Sequence, residues 1–100
     1  MSNRVLPIPC NGELYDHWTV DDYMEKVKEE YNELLVAFAN YEDFESDLEL
    51  HELACEATDL IIATTSLLEK AGFNEEARQA YMVLKNTSNM ERDDGKRIKW

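Results

Sequence analysis

The stretch Ser46-Asp47-Leu48-Glu49-Leu50-His51-Glu52-Leu53-Ala54-Cys55-Glu56-Ala57-Thr58-Asp59-Leu60-Ile61-Ile62-Ala63-Thr64-Thr65-Ser66-Leu67-Leu68-Glu69-Lys70 decides the fold of this chain. It opens with a capping box, Ser46 followed three residues later by Glu49. Leu50, Leu53, Ala54, Ala57, Leu60, Ile61, Thr64, Leu67 and Leu68 then recur at helical spacing. Ile62 and Ala63 make the middle of the helix apolar almost all round, the pattern of a buried helix. Gly72 is a natural C-cap. The pattern predicts a helix ending at Lys70 that other elements must cover.

Upstream, Thr19 is a good N-cap, and Asp21 and Asp22 suit the positive end of a helix dipole. Tyr23, Met24, Val27, Tyr31, Leu34, Leu35 and Phe38 mark a first helix over roughly Val20 to Asn40, with Asn40 to Glu45 as a polar connection. Met1 to Trp18 holds Pro7, Pro9 and Gly12 without a period and reads as an irregular arm. Downstream, Asn74 caps a third helix with an apolar stripe of Ala77, Ala80, Tyr81 and Leu84. That helix is expected to fade near Asn86 to Asn89 into a polar tail, residues 86–100, broken by Gly95. No repeat, low-complexity segment or strand alternation is visible. The expected fold is all-α, a small antiparallel helical bundle in one domain over residues 1–100.

The chain carries 22 acidic against 10 basic residues, a net charge of −12. Sixteen of the acids lie between Glu13 and Asp59, whereas five of the basic residues lie between Lys85 and Lys99. An acidic body argues against a nucleic-acid or anionic-membrane surface and suits a cation. Cys10 and Cys55 have no metal-site spacing and read as free thiols of a reducing cytosol. No secretory pattern and no bilayer-length apolar run is present, so the expectation is a soluble, cytoplasmic protein.

Two carboxylate pairs carry the chemistry: Glu30-Tyr31-Asn32-Glu33 and Glu56-Ala57-Thr58-Asp59. The i, i+3 spacing puts each pair on one helix face, a turn apart. A single such pair is usually a solvated face. Here Glu30 falls between Val27 and Leu34, and Glu56 between Leu53 and Leu60, so both interrupt apolar stripes. A charge in that position is costly unless paired or metal-bound. Two facing pairs offer four oxygen ligands, which Mg²⁺ or Mn²⁺ prefers. Glu29 and Glu52 are possible outer helpers, and Glu49 reads as solvent-facing. A di-iron bundle needs Glu-x-x-His, but Leu14 and Leu48 precede His17 and His51 at that spacing. Cys55 reads as a small core residue rather than a nucleophile.

Glu29-Glu30-Tyr31-Asn32-Glu33-Leu34 and Glu56-Ala57-Thr58-Asp59-Leu60-Ile61, with a gap of 22 residues between Glu33 and Glu56, resemble the MazG-type all-α nucleoside triphosphate pyrophosphohydrolases. Their signature is Glu-x-x-Glu, a variable gap, then Glu-x-x-Asp. Ser88-Asn89-Met90 and Asp94-Gly95-Lys96 look like the C-terminal segment of phosphoribosyl-ATP pyrophosphohydrolase-like and phage-type members. The chain departs in carrying Arg92 where Lys is common, and in lacking the extra helices of longer dUTPase members.

The resemblance implies hydrolysis of a (d)NTP or related nucleotide to the monophosphate and pyrophosphate. It makes Glu30, Glu33, Glu56 and Asp59 the catalytic and Mg²⁺-holding residues. It makes Lys85, Asn89, Arg92 and Lys96 the nucleotide-binding ones. Trp18, Tyr23 and Tyr81 are candidates for the base pocket. It further implies a homo-oligomer, dimer or tetramer, with a four-helix core completed across subunits. The rival expectation is a non-catalytic acidic helical module that binds a basic partner or imitates DNA charge.

Overall fold

The computed structural model describes residues 5–92. Three helices follow one another: α1 Val20–Phe44, α2 Asp47–Lys70 and α3 Glu75–Arg92. No strand occurs among the described residues, so the all-α expectation holds. No described helix is long and apolar enough to cross a membrane.

Each helix starts where its cap residue stands. Thr19 and Asp22 form a reciprocal capping box, with Thr19 N–H donating to the Asp22 carboxylate at 2.8 Å. Ser46 accepts from the Glu49 N–H at 3.3 Å. Asn74 accepts from the Ala77 N–H at 2.9 Å through its side chain. α2 ends in a Schellman arrangement: Gly72 N–H bonds to Glu69 O at 3.1 Å and Phe73 N–H to Leu68 O at 2.9 Å. Gly72 needs its glycine there, with φ at +105°.

Two helices run further than the sequence suggests. α1 absorbs the expected connection Asn40 to Glu45 and stops only when Glu45 turns left-handed at φ 45°, its N–H bonded to Tyr41 O at 2.7 Å. Polar residues such as Glu42 and Asp43 continue a helix readily when no Gly or Pro intervenes. α3 likewise passes through Asn86 to Asn89 and reaches Arg92. Asn, Thr and Ser cost only tenths of a kcal/mol each in a helix, too little to end it. The polar tail is therefore helical at residues 86–92, while Gly95, Lys96 and Trp100 lie outside the described residues.

α1 and α2 form an antiparallel hairpin joined by Glu45 and Ser46 and packed along its length. The buried apolar residues are few: Tyr23, Ala37 and Ala63. α2 is not buried all round, as its composition suggests; Ile61 is 53% exposed and Leu68 is exposed as well. The reason is that α3 covers little of it. α3 is held mainly at its start, where the Arg78 guanidinium donates to Phe73 O at 2.7 Å and to the Glu69 carboxylate at 3.0 Å. Phe73 also packs edge-on against Tyr81. The expected α3 stripe is exposed at Ala80, Tyr81 and Leu84.

The arm preceding α1 is irregular, with a turn at Gly12 (φ +99°) closed by Tyr15 N–H to Gly12 O at 2.9 Å. It folds back on the hairpin. Cys10 N–H reaches the Ser66 hydroxyl, and Tyr15 and Trp18 pack on Tyr23 at ring separations of 6.3 and 5.0 Å.

Candidate metal centre between the first two helices

The α2 pair, Glu56 and Asp59, meets Glu30 of the α1 pair across the α1–α2 interface. The carboxylates of Glu30, Glu56 and Asp59 come together, each offering an oxygen within 4.8 Å of the others. Glu29, Glu30 and Glu33 form a second group of the same span. Glu30 belongs to both. The four expected ligands are thus gathered through Glu30, with Glu33 and Asp59 in different groups. Glu29, expected only as a helper, stands with the principal residues.

Glu30 is only 9% exposed. Its Oε2 and that of Glu56 are buried and have no hydrogen-bond partner. A buried carboxylate oxygen without a donor costs on the order of 1–3 kcal/mol, so a cation that reached either oxygen would relieve that cost. Burial first, and then the Glu33 charge, push the Glu30 carboxyl above the ordinary glutamate range. Lys26, one helical turn away at 3.6 Å, pulls it back without cancelling the rise; Asp59 and a hydrogen-bonding approach of Glu33 add to it. The donors are all carboxylate oxygens, the hard ligands that Mg²⁺ and Mn²⁺ prefer.

Beside this cluster lies an open groove of about 780 Å³, walled by Glu25, Glu29 and Glu33 of α1 and Glu49, Glu52 and Glu56 of α2. Glu49 and Glu52 both line it, Glu49 half-buried and Glu52 exposed. Lys28 also lines the groove, paired with Glu25 at 3.1 Å.

The expected nucleotide-binding residues lie elsewhere. Lys85, Asn89 and Arg92 all sit on α3, and no α3 residue lines the groove. Lys96 lies outside the described residues. Of the aromatic candidates, Trp18 and Tyr23 pack together with Tyr15, whereas Tyr81 stands apart against Phe73. The acidic-pair spacing does not point to Lys26. Its signal was present, a lysine four residues before Glu30 in the same helix.

Comparison of the chain with protein-family models, curated proteins and solved structures returns no match.

Proposed function

We propose that this chain is a Mg²⁺-dependent nucleotide pyrophosphohydrolase that releases pyrophosphate and a nucleoside monophosphate from a (d)NTP or related nucleotide. The observation that carries the reading is the gathering of the Glu30, Glu56 and Asp59 carboxylates between two helices, with Oε2 of Glu30 and of Glu56 buried and unpartnered. The sequence resemblance to the MazG-type enzymes supplies the reaction and the substrate class. In this reading Glu30, Glu33, Glu56 and Asp59 hold the cation, with Glu29 beside them. The cation supplies neutralisation of phosphate oxygens and a lowered pKa for water. The open acidic groove leaves room for a phosphate chain to reach it.

The same reading places Lys85, Asn89 and Arg92 of α3, together with Lys96, at the nucleotide. Because α3 stands away from the groove of its own chain, these residues serve a groove through a second subunit. Oligomerisation would also cover Ile61, Leu68, Tyr81 and Leu84 and complete a four-helix core. The enzyme belongs in the cytoplasm in this account, where nucleotides and Mg²⁺ are found.

The test is pyrophosphate release from a panel of canonical and modified nucleotides with Mg²⁺ or Mn²⁺. Glu56→Gln is expected to abolish turnover and leave helicity intact, since it removes one of several clustered charges. Absence of release from every nucleotide by a chain that does take up Mn²⁺ would overturn the enzymatic reading. Six glutamates along the groove favour one other reading, an acidic module for a basic partner. That module predicts tight, salt-sensitive binding of a polycation and no gain in Tm from Mg²⁺.

A further inference from the structure

Lys26 presents a puzzle of placement. Its ammonium lies 3.6 Å from Glu30, and its side chain is only 22% exposed. An i, i+4 pair with lysine on the N-terminal side is the weaker orientation for stabilising a helix. The side chain also loses rotamer freedom by lying down. The neighbouring Lys28 shows the ordinary alternative, an exposed pair with Glu25 at 3.1 Å. Lys26 instead lies inward, between the docked arm and the carboxylate cluster. Burial disfavours its charge, and Tyr15, Glu30, Cys10 and Glu29 together outweigh that and favour it.

The only cation the described structure sets beside the buried Glu30 carboxylate is thus part of the chain. It touches one carboxylate and leaves Glu30 Oε2 and Glu56 Oε2 unpartnered. A single ammonium is a point charge on a flexible stem, and one positive charge cannot balance Glu29, Glu30, Glu33, Glu56 and Asp59. A divalent ion entering the cluster brings two charges and would stand close to the ammonium, which it repels.

We propose that Lys26 is an exchangeable internal counter-cation: it holds Glu30 in the cation-free state and is displaced when a divalent ion binds, so that it sets the site's affinity threshold. This rests on the carboxylate cluster being a cation site. The ion pair can open, since at 3.6 Å it is a single contact made by an ammonium on a flexible stem, and it still keeps the acidic cluster from standing wholly uncompensated.

The test is direct titration of the full chain with Mn²⁺, followed by electron paramagnetic resonance of the free ion, at low ionic strength. Lys26→Met, which keeps the stem and removes the charge, is expected to bind Mn²⁺ about three- to tenfold more tightly than wild type, because no internal charge has to be displaced. Lys26→Arg is expected to stay near wild type. The metal-free Lys26→Met chain is expected to melt lower, with saturating Mn²⁺ closing the gap. The wild-type chain gives a second reading that does not depend on the variant folding without metal. Lysine side-chain NMR should show the Lys26 ammonium losing its Glu30 contact as Mg²⁺ is added. Wild type that binds Mn²⁺, with Lys26→Met binding equally or more weakly, or with an unmoved Lys26 signal, would overturn the displacement alone. Wild type that takes up no Mn²⁺ would overturn the cation site and the displacement together.

Discussion

The backbone N–H of Cys10 donates a 2.8 Å hydrogen bond to the hydroxyl of Ser66, a residue fifty-six positions further along the chain. Ser66 is 1% exposed, and its hydroxyl in turn donates a hydrogen bond to Ile62 O at 2.8 Å. This one bond pins the arm to α2, and the ring contacts of Tyr15 and Trp18 pin it to α1.

Ser66→Ala is expected to release the arm. The Cys10 N–H loses its acceptor in a partly buried place, a cost of about 1–3 kcal/mol. Urea denaturation should show the loss, and limited proteolysis should cut within residues 5–18 of the variant sooner than in wild type. An arm equally resistant in both proteins would mean that the aromatic contacts alone hold it.

Glu30→Gln is expected to raise the melting temperature of the metal-free protein at neutral pH, because it removes a buried charge and keeps the shape. A rise of a few degrees is the expected size, since about 1 kcal/mol moves the midpoint of a domain this small by roughly 4–8 °C. The same variant should lose most of the stabilisation that wild type gains from Mn²⁺. A lower melting temperature for the metal-free variant would show that the charge of Glu30 is already balanced.

The pH dependence follows from the upward shift at Glu30. Below the unfolded-state pKa both states are protonated and the carboxyl contributes its full stability. As pH rises the unfolded chain gives up its proton first, so that contribution is lost through the folded-state pKa. The difference in stability between Glu30→Gln and wild type, without metal, should therefore widen from about pH 4 toward neutrality. Lys26 is also shifted upward, and its window lies above the ordinary lysine range, outside this titration. A difference that stays flat from acid to neutral pH would contradict the shift.

Ile61 reports on the exposed side of α2. Wild type is expected to be at least dimeric at micromolar concentration, and Ile61→Glu to shift it toward monomer, because the apolar side chain is half open to water within one chain. Light scattering decides; wild type that is monodisperse as a monomer would remove the intersubunit account of the α3 basic residues.

Much of this architecture was legible in the sequence. Thr19, Ser46 and Asn74 mark the three helix starts because a cap is a local bond between a side chain and the next turn. The meeting of Glu30 with Glu56 was legible too, since charges that break an apolar stripe must find each other or a cation. What sequence hid were the quantities set by packing. Ile62 and Ala63 suggest a buried α2, yet burial depends on a neighbour, and α3 does not supply it. Asn86 to Asn89 suggest a helix end, yet weak propensities add up too slowly to stop a helix without a Gly or Pro. The choice of Lys26 over Lys28 as the partner of Glu30 depends on which way a long side chain lies, which spacing alone leaves open.

The link between α1 and α2 is two residues, Glu45 and Ser46, with Glu45 in the left-handed conformation. Such a joint has no slack, so it works as a ruler. Counting back to Glu30 and forward to Glu56 fixes both the height and the rotational phase at which the carboxylates meet. One residue added within α2 before Glu56 would turn every later side chain by about 100°, as 3.6 residues make a turn. The acidic cluster would then come apart with every carboxylate still present in the sequence. The distance between the two motifs is in this sense as much a component of the site as the glutamates themselves.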